Sequence, residues 1–595
     1  MRQGVIVYRD VSGSTVATER GSADRAGGST RIGRSTGAGR TVVRRSRPAA
    51  HRPWQASPLP LPSRRRLGQA GRDDPSKNKT CQSSIAGSSS LAQPHRGALA
   101  SAAGVVPKVA WGQAAAAAAP SQARPAWSLS ATEAASLLRN GSLSAAELTR
   151  SCLGRIAAIN SIVNAVNFVD EAGAIRAAEE TDAARARGER CGPLHGIPVL
   201  IKDNTDVGGQ PMTNGIVAWK ENIAHRDAPQ VTRLRAAGAL VLGRSNTPCF
   251  SFSWDARNDL HGITWNPWSR SHTPGGSSGG AACAVATGMV PLAQGNDIGG
   301  SIRHPAYCCG VVGLRPTPGR VPGLFSPAKG DEALGLQLML VDGPIARRVA
   351  DIRLMLEAMT SFDARVAGSL PLPFPASPLP PGTRIAVLRE DGIKPRTPTV
   401  AAALERAAAA LQRAGFIVEE IRLPELAEAW RLWWLLIMEE TRALLPSIAR
   451  DGDAPIKAWI GYNYEVAAEM WGRQPSLTDY INGYAQRATL IASLQQKLQA
   501  YPVILMPVAS EEPFLHGQHY ADLDAARSAI SSGWPLMAIP VLGFPALAVP
   551  TGCVAGLPTG VQLMGRRFGE HDLLQVGAAL EAAMPVLTPM DPVRT

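Results

Sequence analysis

The sequence predicts an α/β fold, and three observations carry that prediction. Short unbroken apolar runs bounded by glycine or charge, Ile197 to Ile201 and Ala239 to Gly243 among them, have the length of strands buried on both faces. Segments of helical period alternate with those runs, the order expected when helices are layered on a sheet. No stretch of roughly 18 unbroken apolar residues occurs, so no membrane span is expected. At 595 residues the length accommodates several ordinary domains or one large one.

The formal net charge is +13, and its location matters more than its size. Residues 1 to 125 hold 20 Lys and Arg against 5 Asp and Glu, whereas the remainder holds 41 against 43. A basic surface for nucleic acid is therefore not expected of the body of the protein. The first 125 residues are rich in Arg, Ser, Gly, Pro and Ala and lack apolar periodicity, so they are expected to be a disordered extension, with order over 126–595. Within the extension, Gly97 to Pro120 is similar to the weakly apolar and cleavage regions of a twin-arginine export signal. Lys108 interrupts it, however, and the cluster Arg64 to Arg66 lies about thirty residues upstream. A cytoplasmic location is the expectation. A basic arm, export, or an extension absent from the working protein are the three readings of the segment.

The eight cysteines, Cys81, Cys152, Cys191, Cys249, Cys283, Cys308, Cys309 and Cys553, show no CxxC spacing and no accompanying histidine cluster. They read as reduced, mostly buried small hydrophobes, and no metal or cofactor is expected.

Taken in order, Ser130 with Glu133 and Ser144 with Glu147 each make an S-x-x-E capping pattern, with Asn140-Gly141 as a stop between two helices. Leu148, Cys152, Ile156 and Ile159 give the second helix its buried face. A third helix, Glu171 to Arg187, leads to the strand that delivers Lys202. Asp227 and Pro229 open a helix to about Ala237 before the strand at Ala239. Small residues from Ala281 to Thr287 fit a closely packed helix, and Gly343 to Met359 reads as one amphipathic helix. Proline-dense Pro371 to Gly382 is a surface crossover. Ile385 to Leu388, Thr399 to Ala414 and Phe416 to Val418 form a strand, helix, strand unit. Residues 424–500 read as helical, with Trp430, Trp433, Trp434, Trp459 and Trp471 either in the core or lining an apolar pocket under a helical cap. Val503 to Met506, Ala546 to Val549 and Val561 to Met564 are strands, and Glu570 to Ala583 is the last helix.

The chemistry concentrates between Gly275 and Gly313, where Ser277 and Ser301 each sit among glycines. Glycine leaves hydroxyls and nearby amides open to a ligand. Two serines, a lysine at the end of a buried strand and bare backbone amides suffice for acyl transfer without histidine or metal. The free amine titrates near 10.4, so acting as a base at neutrality asks the surroundings for roughly 4 to 5 kcal/mol of bias.

GIPVLIKDN, TPGGSSGG, GNDIGGSIRHPAYCCGVVGLRPT and FPALAVPTG through GLPTGVQLMGRRF, in that order, resemble the amidase signature family from about Trp127 to the C-terminus. The resemblance implies a large twisted mixed β-sheet flanked by α-helices. It implies Ser301 as nucleophile, Ser277 as bridging serine after a cis peptide bond, and Lys202 as base. Ile298, Gly299, Gly300 and Ser301 match the oxyanion-hole segment. Ser278 matches a serine expected to orient the network, and Asp297 with Arg303 a buried pair fixing the loop around Ser301. The expected activity is hydrolysis of a small apolar or aryl amide through an acyl-enzyme, faster toward alkaline pH. Three positions depart from the family pattern: Asn296 for threonine, His304 for an apolar residue or glutamine, and Met212 for the first threonine of a pair. None of the three is expected to touch the triad, and His304 is expected to be a packed neighbour.

Two rivals stay open. One is a component of a tRNA-dependent amidotransferase releasing ammonia from glutamine, which would need partner chains. The other is nucleic-acid binding through the basic arm, whose affinity would fall steeply with salt. A phosphate-cradling loop is disfavoured because GGSSGG lacks the G-x-x-x-x-G-K-[ST] lysine. The expected partner is a small-molecule amide, without nucleic acid or membrane, and a homodimer is left open.

Overall fold

The structure is a computed structural model, and it describes residues 124–324, 331–374, 377–390 and 392–594. The expected disordered extension and its signal-like stretch therefore lie outside the described residues, apart from its last two positions, and so does Cys81. The other seven cysteines are unpaired thiols. No helix among the described residues is long and apolar enough to cross a membrane.

Thirteen strands are described: β1 (Val166–Val169), β2 (Pro198–Lys202), β3 (Leu240–Ser245), β4 (Arg257–Asn258), β5 (Gly262–Ile263), β6 (Leu292–Asp297), β7 (Val312–Arg315), β8 (Val341–Ala346), β9 (Arg384–Val387), β10 (Ile417–Glu420), β11 (Val503–Pro507), β12 (Ala546–Val554) and β13 (Leu557–Gly565). Eleven form one sheet in the order β1-β3-β2-β6-β8-β7-β12-β13-β11-β9-β10, and β4 pairs with β5 alone. The sheet is mixed: β2 runs parallel to β3 and β6, β9 runs parallel to β10 and β11, and the strands between β6 and β11 are antiparallel. Helices flank it, as the sequence leads one to expect, and β2, β3, β6, β7, β8 and β11 are buried along their whole length.

Local chemistry explains where the first helices begin. Ser130 Oγ accepts the Glu133 N–H while Glu133 Oε2 accepts the Ser130 N–H at 2.7 Å, a complete capping box, and Gly141 closes the helix Ala131–Asn140 in the left-handed region at φ 79°. At Ser144 only half the box forms. There the Asp182 carboxylate, from the helix Glu171–Ala186, takes the amides of Ala145 and Ala146 at 2.8 and 3.0 Å.

One predicted element is corrected. The segment read as a single helix from Gly343 to Met359 is a strand followed by a helix, β8 and then Val349–Met359. Pro344 looks like a helix opener in sequence, but β8 is wedged between β6 and β7, with Gly343 facing Gly295 and Asp342 facing Asn296. A Cβ on Gly343 would sit 2.1 Å from the Leu314 carbonyl, so the close strand approach requires glycine.

Candidate active site

Lys202 is the last residue of β2, and the neighbouring strands fix its backbone. Its N–H donates to Gln294 Oε1 of β6 at 3.1 Å, and its carbonyl accepts from Arg244 Nη2 of β3 at 2.9 Å. The side chain is wholly buried. Its Nζ lies 2.5 Å from Ser277 Oγ and 2.7 Å from Asn296 Oδ1. Burial pushes the amine down to about 7, against the opposing pull of Asp342 and Asp297. Uncharged, it has a lone pair for the Ser277 proton while an N–H still donates to Asn296.

Ser277 follows a cis peptide bond from Gly276, and its carbonyl accepts the Thr247 hydroxyl at 3.1 Å. A Cβ on Gly276 would come within 2.3 Å of the Ser253 carbonyl, so no other residue fits this turn. Ser301 sits across from it, after Gly300, whose φ of 98° belongs to glycine. The two serine hydroxyls share no hydrogen bond here. Their loops are joined one residue on, where the Ser278 N–H donates to the Ser301 carbonyl at 3.1 Å. The Ser278 hydroxyl, expected to orient the network, is buried and has no partner among the described residues, so it is the backbone of Ser278 that ties the two loops.

The Asp297 carboxylate organises the loop ahead of Ser301. Its oxygens accept from Arg303 Nε and Nη2, both at 3.0 Å, from the Gly300 N–H at 2.9 Å and from the Ile302 N–H at 3.2 Å. Burial alone would raise this carboxyl, but Arg303, Arg315 and these bonds outweigh it and hold it below its usual range. Arg303 in turn donates to the Leu536 carbonyl at 2.6 Å and to Gln562 Oε1 at 3.0 Å, anchoring the loop to the sheet. Within the segment 298–301, the Gly300 amide is thus spent on Asp297. The amides of Ile298, Gly299 and Ser301 have no partner among the described residues. Two indoles fix this segment from the other side, Trp433 Nε1 donating to the Ile298 carbonyl and Trp254 Nε1 to the Gly299 carbonyl, each at 2.9 Å.

Of the three departures from the family pattern, Asn296 contradicts the expectation that none touches the triad. It lies one residue before Asp297 on β6, beside β2, and its strand position turns its carboxamide onto Lys202 Nζ. Asn204 Oδ1 steadies the other end by accepting Asn296 Nδ2 at 2.9 Å. Met212 is buried and bonds through its backbone to Asn222, with no hydrogen bond to Lys202, Ser277 or Ser301. His304 is buried between Trp254 and Phe514, with ring centroids 5.6 Å from each, and burial lowers its imidazole to about 3.

Sequence reasoning missed Asp342, Gln294 and Gln230, a buried set behind Lys202. Gln230 Nε2 donates to Asp342 Oδ2 at 2.9 Å, and Gln294 Nε2 donates to Asp342 Oδ1. Burial raises the Asp342 carboxyl to about 7, with the two glutamines and Lys202 opposing. Pairing of β6 with β8 brings Gln294 to Asp342, the helix Pro229–Ala236 brings Gln230, and no local pattern marks either approach.

A cleft opens over Ser301, walled by Trp254, Trp433, Trp434, Trp459, Phe252 and Met537, with Ser251, Ser253 and Asn463 as its polar side chains beside Ser301. Trp433 and Trp434 come from the helix Pro424–Thr441, and Trp459 and Asn463 from Ala454–Trp471. Trp430 is buried outside the cleft.

The sequence profile of the family described as Amidase matches residues 147–574. The chain is 38% identical to an indoleacetamide hydrolase of Bradyrhizobium diazoefficiens over 470 residues, 78% of this chain and 88% of that protein. It is 35% identical to a glutamyl-tRNA(Gln) amidotransferase A subunit of Roseiflexus castenholzii, across 79% of this chain and 99% of the relative. Among solved structures, a bacterial aryl acylamidase of the amidase signature enzymes superposes with a TM-score of 0.66 at 26% identity, covering 78% of this chain and 98% of the other.

Proposed function

The chain belongs to the amidase signature family of amide hydrolases, and from that premise we propose that it cleaves the C–N bond of a small apolar, aryl-bearing carboxamide through Ser301, Ser277 and Lys202. The observation that carries the reading is the wholly buried Lys202 amine, 2.5 Å from Ser277, next to a tryptophan-walled cleft that opens on Ser301.

In this mechanism Ser301 Oγ attacks the carbonyl carbon. Its proton passes to Ser277 Oγ as the Ser277 proton moves to the Lys202 lone pair. The carbonyl oxygen gains the electron pair and is held by the unspent amides of Ile298, Gly299 and Ser301. As the tetrahedral centre collapses, the C–N bond breaks, the relay returns the proton to the departing amine, and an ester to Ser301 remains. Water then enters by the same proton path and releases the acid. The relay needs the two serine hydroxyls to close on one another, a contact of the kind that tightens when substrate is bound. Asn296 holds Nζ so that its lone pair faces Ser277.

The relatives also include amidotransferase A subunits, which are named for glutamyl-tRNA(Gln). The apolar cleft favours the free-standing hydrolase over glutamine as substrate. The test is ammonia release by the purified chain from arylacetamides, alkyl amides and glutamine. Arylacetamides should be turned over fastest. Release from glutamine alone, with partner chains copurifying, would replace this reading by the amidotransferase one.

A further inference from the structure

The cleft over Ser301 contains a polar group that the hydrolytic mechanism does not use. Asn463 is 1% exposed, lines the cleft, and its Oδ1 has no hydrogen-bond partner among the described residues. Its Nδ2 likewise bonds to none of them. A buried carboxamide left unpaired is costly, and buried side-chain polar atoms are paired in the great majority of cases. One that is unpaired at the edge of a substrate cleft is a group awaiting a ligand.

The surroundings say what kind of ligand. Trp254 and Trp459 lie at 6.0 Å between ring centroids and Trp433 and Trp434 at 4.9 Å, so flat apolar faces dominate the walls. The indole N–H groups of Trp254 and Trp433 are already spent on the carbonyls of Gly299 and Ile298, beside the reacting serine. Trp459 and Asn463 are four residues apart on the helix Ala454–Trp471, hence on one face and one turn apart. A ring lying against Trp459 thereby brings its own edge toward the Asn463 carboxamide. The buried unmatched atom of this carboxamide is the acceptor Oδ1, which calls for a donor on the ring.

Resting on the aryl-amide reading above, we propose that Asn463 is a specificity-determining residue. Its Oδ1 accepts an N–H carried by the ring of the substrate, so the preferred class is a flat bicyclic heteroaryl acetamide with a ring N–H, of the indole type, over the same shape without that donor. The carboxamide of the substrate then sits at Ser301 while its ring spans the tryptophan walls.

The test compares indole-3-acetamide with benzofuran-3-acetamide, which replaces the ring N–H by oxygen at nearly constant shape, using the purified full chain and ammonia release. The expected result is a kcat/KM about 10- to 100-fold higher for the indole, the size of one unpaired buried polar group. In Asn463→Leu the ratio should fall to near one. Equal kcat/KM for the two amides in the wild-type chain overturns the inference while leaving the amidase reading intact, and needs no variant to fold. A preference that survives in Asn463→Leu also overturns it. Failure to hydrolyse either compound while alkyl amides are turned over removes the aryl reading together with the inference.

Discussion

Replacing Lys202 by methionine separates what this side chain does for chemistry from what it costs the fold. In the folded chain the amine titrates at about 7, against an ordinary value of 10.5. Because the folded state disfavours the charged amine, folding at pH 7 releases about half a proton from this group, at a cost of about 4 kcal/mol. The cost is full below pH 7, shrinks as pH rises, and is gone above 10.5. Methionine nearly preserves the volume and carries no charge, so Lys202→Met removes that cost. It also removes the bonds to Ser277 and Asn296, which offsets about 2 kcal/mol. The variant should therefore be more stable than wild type by roughly 2 kcal/mol at pH 7. At pH 9, where about 2 kcal/mol of the cost remains, the two should be nearly equal. Urea denaturation at both pH values, followed by tryptophan fluorescence, measures this. Turnover should fall by about 10²- to 10⁴-fold, the reach of a positioned base. A variant less stable than wild type at pH 7, or a difference that does not change with pH, refutes a buried neutral amine.

The remaining predictions concern the same amine and its neighbours. In wild type, kcat/KM should rise about tenfold per pH unit below neutrality and level off above about 7, since only uncharged Lys202 accepts a proton. A profile that is flat from pH 5 to 9 contradicts this. Asn296→Leu should lower kcat by about 5- to 100-fold with KM little changed, because the amine loses the acceptor that orients it. Steady-state kinetics reads the split, and Asn296→Thr should restore much of the rate. An unchanged kcat in the leucine variant would make Asn296 a bystander.

Much of this arrangement is legible in the chain, and the parts that are not have physical reasons. Lys202, Ser277 and Ser301 are visible because each sits in a local pattern: an apolar run ending in charge, or a serine among glycines. The pair of Asp297 and Arg303 is visible only through the family resemblance, since nothing in the local spacing marks the two as partners across the glycine loop. Asn296 is legible as a departure from the family pattern but not as a contact of Lys202, since that contact depends on β6 lying beside β2. The strand that carries Asp342 is hidden, because Gly343-Pro344 mimics a helix start and only pairing with β6 and β7 makes the segment a strand. Strand β1 has just four residues, three of them only half-buried, and β6 ends in polar Gly-Asn-Asp, so neither shows the apolar run that reveals β2. The tryptophans admit two readings in sequence, and the structure divides them: Trp433, Trp434 and Trp459 line the cleft, whereas Trp430 belongs to the core.

Covalent labelling tests the central claim most directly. The purified chain should react with an aryl fluorophosphonate at one site, and mass spectrometry of the digest should place the adduct on Ser301, with labelling abolished in Ser301→Ala and greatly slowed in Lys202→Met. An adduct on Ser253, Ser277 or any other residue, or an active enzyme that takes no label at Ser301, would contradict the account.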